Sequence, residues 1–93
     1  MSSSKDMSKA MAGMMKKMQE MPMTGDTDRD FATMMKAHHQ GAIDMSQMEL
    51  QSGKDSKMRA MAKRIIEAQK KEIKEFEGWL AKHKGPEGAA NPK

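Results

Sequence analysis

Two interruptions decide what this chain can fold into. Helix-forming residues run from Lys5 to about Met21, with Gly13 the one soft spot, until Pro22-Met23-Thr24-Gly25 supplies turn chemistry. A second run, capped by Thr27 or Asp28, continues to about Ser52 and stops at Gly53. A third opens at Asp55 or Ser56 and passes Trp79 to His83 or Lys84, where Gly85-Pro86 ends it. Ser4 is placed to cap the first run. No segment alternates in the manner of a strand. The pattern predicts an all-α fold, an antiparallel three-helix chain with helices over about 5–21, 28–52 and 55–84 joined by short connections. Residues 1–84 form one domain on this reading, and 85–93 a disordered tail. A chain of 93 residues has a core near the lower limit for independent stability, so a bound metal or a homodimer completing a four-helix-type bundle is expected to contribute.

Charge and composition narrow the function classes. The formal charge is +4, but basic residues alternate with acids and only three aromatic side chains are present, so nucleic acid is not an expected partner. Without cysteine there is neither a disulfide framework nor a thiolate metal site. No apolar run approaches the ~20 residues of a membrane span, and Met1 to Asp6 lacks the apolar region of a signal peptide. If the protein is exported, to periplasm or medium, the sequence is the mature form.

Fourteen residues are methionine, valine is absent, and leucine occurs only at Leu50 and Leu80. Methionine and leucine have similar helix propensity, but methionine loses more rotamer freedom on burial, so packing gives no reason for the exchange. The thioether does give one: soft sulfur selects Cu(I), and by the same softness Ag(I), over Mg, Ca or Mn. The enrichment is also regional. Every methionine lies at or before Met61, whereas the later apolar positions are Ile65, Ile66, Ile73, Phe76, Trp79 and Leu80.

Turning 100° per residue locates the apolar faces. Met7, Met11, Met14, Met15, Met18 and Met21 fall within about 120° of the first helix, opposite Lys9, Lys16 and Glu20. On the second helix Phe31, Met34, Met35, His38, Ala42 and Met45 share a face with His38 at its middle, Met48 on its flank, and His39, Ile43 and Leu50 on an adjoining shoulder. The third buries Met58, Met61, Ile65, Ile66, Ile73, Phe76, Trp79 and Leu80, and it carries Gln69 and Glu72 within the same stripe. An unpartnered polar group there would be costly. Folding about Gly53 sets His38 level with Gln69 and Glu72, either of which can accept the second imidazole N–H and fix the tautomer. Folding about Gly25 brings Met11, Met14 and Met15 beside Met34 and Met35, which makes a central cluster. Met7, Met45, Met48, Met58 and Met61 gather near the second turn as a sulfur-only cluster. His39, about 100° from His38, is expected on the solvent side, serving a second ion or a subunit contact.

Asp30-Phe31, Met34-Met35, His38-His39-Gln40-Gly41-Ala42-Ile43-Asp44-Met45, then Ala62, Ile65-Ile66, Gln69, Glu72-Ile73 and Trp79-Leu80 together resemble the bacterial CopM-type family, formerly a domain of unknown function. The match covers about Asp30 to Leu80. The resemblance implies a small ferritin-like helical protein, usually exported, that binds copper and silver, with Met34, Met35, His38, His39, Met45 and Met48 touching metal. Phe76 stands where methionine is frequent in that family, and the methionine stripe of the first helix lies outside the matching region.

These readings converge on a non-enzymatic protein that sequesters or carries Cu(I), with Ag(I) as mimic, and that hands it to a copper-transfer partner or holds it. Several competing functions lead to different observables. A di-iron enzyme would need paired Glu-x-x-His motifs, which the chain lacks. A Met-rich interaction or membrane-surface module would dock an apolar partner without metal. An oxidant scavenger would form sulfoxide without metal dependence.

Overall fold

The computed structural model describes residues 4–83. They form α1 (Ser4–Glu20), α2 (Thr27–Ser52) and α3 (Ser56–Lys82), and no strand occurs among the described residues. The all-α expectation holds, with each helix end within two residues of its predicted place; the tail expected over 85–93 lies outside the described residues. Ser4 is already inside α1. The cap of α2 is Asp26, one residue before the expected pair, because its carboxylate accepts the Asp28 and Arg29 amides at 3.1 and 3.3 Å. Asp55 caps α3 by accepting the Met58 amide at 2.9 Å.

The first turn is built around Asp30. Its carboxylate accepts the Thr24 amide at 3.0 Å, the Thr24 hydroxyl at 2.9 Å and the Gly25 amide at 3.2 Å. The Thr24 amide bond above all, with help from the Thr24 hydroxyl, the Gly25 amide and the Arg29 charge, outweighs partial desolvation and holds the Asp30 carboxyl below its ordinary value. Gly25 sits at φ 91°, where a side chain would be strained. At the second turn Arg59 donates to the carbonyls of Leu50 (2.6 Å) and Gly53 (3.2 Å), which would otherwise be orphaned at the end of α2.

The three helices lie side by side with α2 in the middle. α2 packs against both neighbours, whereas α1 and α3 do not pack on each other. The described arrangement is elongated, measuring 52 × 24 × 16 Å. Small residues set the close approaches. Ala32 and Ala62 are buried between α2 and α3 with Ile43, and Ser46 is buried on the same side of α2. On the other side the Met14 side chain occupies the space that a Cβ at Gly41 would take. No large side chain is fully buried among the described residues. At the far end Arg29 donates to the His83 carbonyl at 2.7 Å, and the His83 ring stacks on Trp79 with centroids 4.1 Å apart.

Candidate metal centre

The α2 surface that meets α3 is the shoulder, not the methionine face. Ala32, His39, Ile43, Ser46 and Leu50 follow one helical stripe, and α3 answers with Ala62, Ile66, Gln69, Ile73 and Leu80. The expected roles of the two histidines are therefore exchanged. His39 is buried at 6% exposure, and His38 is exposed. Glu72 does engage an imidazole, but it is His39: Nε2 lies 2.5 Å from Glu72 Oε1. Hydrophobicity alone centres α2 on its most methionine-rich stripe. A middle helix with neighbours on two sides leaves that stripe facing outward. Small residues were the missed signal, since Ala32, Gly41 and Ser46 mark the approaches and all lie off the stripe.

The seam fixes the tautomer of a neutral His39. A carboxylate only accepts, so the bond to Glu72 requires a proton on Nε2 and leaves the neutral ring with its lone pair on Nδ1. That nitrogen is buried and has no hydrogen-bond partner. Gln69 Oε1, one helical turn before Glu72, is a second buried acceptor without a donor. Phe76 closes the other side, its ring edge-on to His39 at 5.4 Å and to Phe31 at 6.0 Å. The seam thus holds two acceptor atoms in a largely apolar setting. An electron-pair acceptor would satisfy them. Met35, one turn before His39 on the same side of α2, is half-buried and supplies the nearest thioether in sequence.

The remaining candidates are distributed rather than gathered. Met34, Met45 and Met48 are half-buried on α2, and Met14 packs over Gly41. Met11 and Met15 turn to solvent at 45% and 49% exposure, so the central cluster anticipated around His38 does not close within one chain. The sulfur-only cluster is also divided. Met7 belongs to α1 and Met58 and Met61 to α3, and these helices do not pack together. The reason is topological: the flat arrangement places α2 between them.

Many of the methionines nevertheless share a side. On the layer's reverse side run two grooves, one lined by Gln47, Lys70, Lys74 and neighbours between α2 and α3, the other by Lys17, Met21, Glu77 and Leu80 with residues of α2. On the front, a cleft of about 470 Å³ opens between Phe31, Phe76 and Trp79. Helix phase and the antiparallel order carry Met34, Met35, His38 and Met45 of α2, and Met58, Met61 and Ile65 of α3, to that same front. Met7, Met11 and Met18 of α1 follow them.

No group of three or more His, Cys, Asp or Glu side chains converges among the described residues. The donor set present is thioether with imidazole, which suits a soft monovalent ion. No helix among the described residues is long and apolar enough to cross a membrane. A comparison with curated proteins finds no match. The family model described as "Domain of unknown function (DUF305)" matches residues 1–80, so the chain belongs to that family of helical domains.

Proposed function

We propose that this protein binds Cu(I), with Ag(I) as its mimic, through methionine and histidine side chains, and that it sequesters or transfers the ion rather than performing catalysis. The observation that carries the reading is the buried, unpartnered Nδ1 of His39, with Nε2 held by Glu72. A histidine that ligates through one nitrogen commonly donates the other N–H to a carboxylate, which orients the ring and raises its basicity. Met35, one turn before His39, shares its side of α2, whereas Met34 and Met45 lie on the open face and Met48 lines the groove toward α1. The resemblance to the CopM-type family supports the same metal, and the periplasmic or secreted location rests on that resemblance alone.

Gln69 contributes from the seam, while His38 on the exposed face and Met11, Met14, Met15, Met58 and Met61 are accessory positions that the His39 site does not require. Several thioethers on flexible stems suit storage or handover, since an ion can pass between donors of similar softness. Native mass spectrometry with Ag(I) tests the assignment. Wild type is expected to hold an ion that His39→Ala loses while remaining helical, and His38→Ala is expected to keep it. Equal ion counts in wild type and His39→Ala would remove the basis of the proposal.

One observation favours a second reading. Met11, Met15, Met58 and Met61 are between 37% and 49% exposed, as expected of a surface that contacts an apolar partner without metal. Partner binding unchanged by Ag(I) or by a chelator would favour it.

A further inference from the structure

A single layer of helices cannot enclose a core, because a helix buries its apolar stripe only against a second layer. Here the uncovered front of α2 and α3 carries four of the seven large apolar side chains exposed among the described residues, and Met11 and Met15 of α1 add two more. Phe31 is 58% exposed, Met58 45%, Ile65 38% and Met61 37%. We propose that a second copy of this chain covers that front, packing about a two-fold axis that runs along the α2–α3 seam.

Three observations point to a second copy rather than another occupant. The first is area. Helices of 26 and 27 residues at ~1.5 Å per residue and ~10 Å spacing present a front of roughly 800 Å², the area each partner buries in a standard-size interface. The second is charge. Helix phase places no lysine or arginine along the middle of the α2 and α3 stripes from Phe31 to Met45 and from Met58 to Trp79, with Arg64 alone at their edge, and Lys36 lies on the reverse side, paired with Glu77 at 3.4 Å. An anionic membrane surface or an acidic protein would be met by a cluster of basic residues, and this front has only Arg64 at its edge. The third is self-complementarity. His38 and the half-exposed Glu72 stand at nearly one height on opposite sides of the seam, as the His39–Glu72 bond requires. Rotation about the seam sets α2 over the partner's α3 in antiparallel register, and so brings each imidazole over the other copy's carboxylate.

The same rotation accounts for the divided sulfur cluster. It moves the partner's α3 toward the uncovered side of α1, where Met7 and Met11 meet a Met58 and Met61 they cannot reach in their own chain. The four central helices form an antiparallel bundle flanked by the two α1 helices. The assembly does not depend on metal, so its test is made in chelator and is separate from the metal assignment.

Sedimentation velocity in chelator is expected to show a dimer. Ile65→Glu and Phe31→Glu are expected to give helical monomers, and Lys71→Glu, on the reverse side, to leave the dimer intact. Because the chain has no cysteine, a chain carrying Ala42→Cys can be mixed with one carrying Ala68→Cys and treated with a short bis-maleimide. The seam axis is expected to yield the mixed cross-linked pair. A wild-type monomer at the highest concentrations, a helical Ile65→Glu variant that still dimerises, or cross-linking only between two Ala42→Cys chains would overturn the proposal. Binding of the monomer to anionic vesicles would overturn it in favour of a membrane surface.

Discussion

His39 Nε2 and Glu72 Oε1 meet at 2.5 Å across the seam of α2 and α3, with the imidazole 8% exposed and the carboxylate half-exposed. The contact joins residues 33 positions apart and orients the buried His39 ring. Its consequences for metal and for stability can be separated. Glu72→Gln keeps an acceptor for the Nε2 proton but removes the negative charge, so the helices are expected to stay folded while Ag(I) affinity falls about 10–100-fold, the usual cost of losing an outer-shell carboxylate. Competition titration against a colorimetric Cu(I) or Ag(I) chelator, with circular dichroism on the same samples, measures both. Unchanged affinity would leave Glu72 a structural partner only.

Gly41 is where α1 comes closest to α2. The Met14 Cγ and Cβ would lie 2.8 and 3.3 Å from an added Cβ. Gly41→Leu therefore overpacks that contact, with a cost of about 1–3 kcal/mol. α1 is expected to lose amide protection by about tenfold or more while α2 and α3 keep theirs, as hydrogen exchange would show. Uniform loss across all helices would mean that α1 is integral to the α2–α3 pair.

The Asp30 carboxyl titrates below its ordinary value of 3.8 because the bonds from Thr24 and Gly25 favour the charged form. A lowered folded-state pKa contributes stability that is fully present above the unfolded value and is lost as pH falls through the folded one. The first turn is thus expected to hold at neutral pH and to loosen only below 3.8. NMR titration of the Thr24 and Gly25 amides reads this directly. In Asp30→Ala the low-pH shifts of both amides are expected to be present already at neutral pH.

Met11, Met15 and Met18 exchanged together for leucine conserve volume and helix propensity. Each exchange is expected to cost below ~1.5 kcal/mol. Loss of bound Ag(I) with an unchanged melting curve would assign the α1 sulfurs to metal. Retention of every ion would return them to packing.

The helices were legible in the sequence because their boundaries are local. Pro22, Gly25, Gly53 and the aspartate caps act within a turn of where they stand. The identity of the buried histidine was not, because it depends on which side of α2 each neighbour takes. Hydrophobicity ranks the methionine stripe first, yet α3 chose the stripe with Ala32, Ile43 and Ser46, where the backbones approach most closely. Antiparallel folding about Gly53 fixes height, which brings Glu72 level with both imidazoles, but its partner is His39 and not the expected His38. Height alone does not distinguish His38 from His39, which differ by 100° in direction and only about 1.5 Å in rise. Division of the sulfur cluster follows from the same limit, since spacing cannot say that α1 and α3 stand on opposite sides of α2.

The most direct test of the metal assignment is long-range proton–nitrogen NMR of the imidazoles during Ag(I) addition. The expected result is that His39 Nε2 remains protonated against Glu72 while Nδ1 shifts on binding and shows coupling to silver. Binding of Ag(I) with both His39 nitrogens unchanged would contradict the assignment and leave the metal to the thioethers alone.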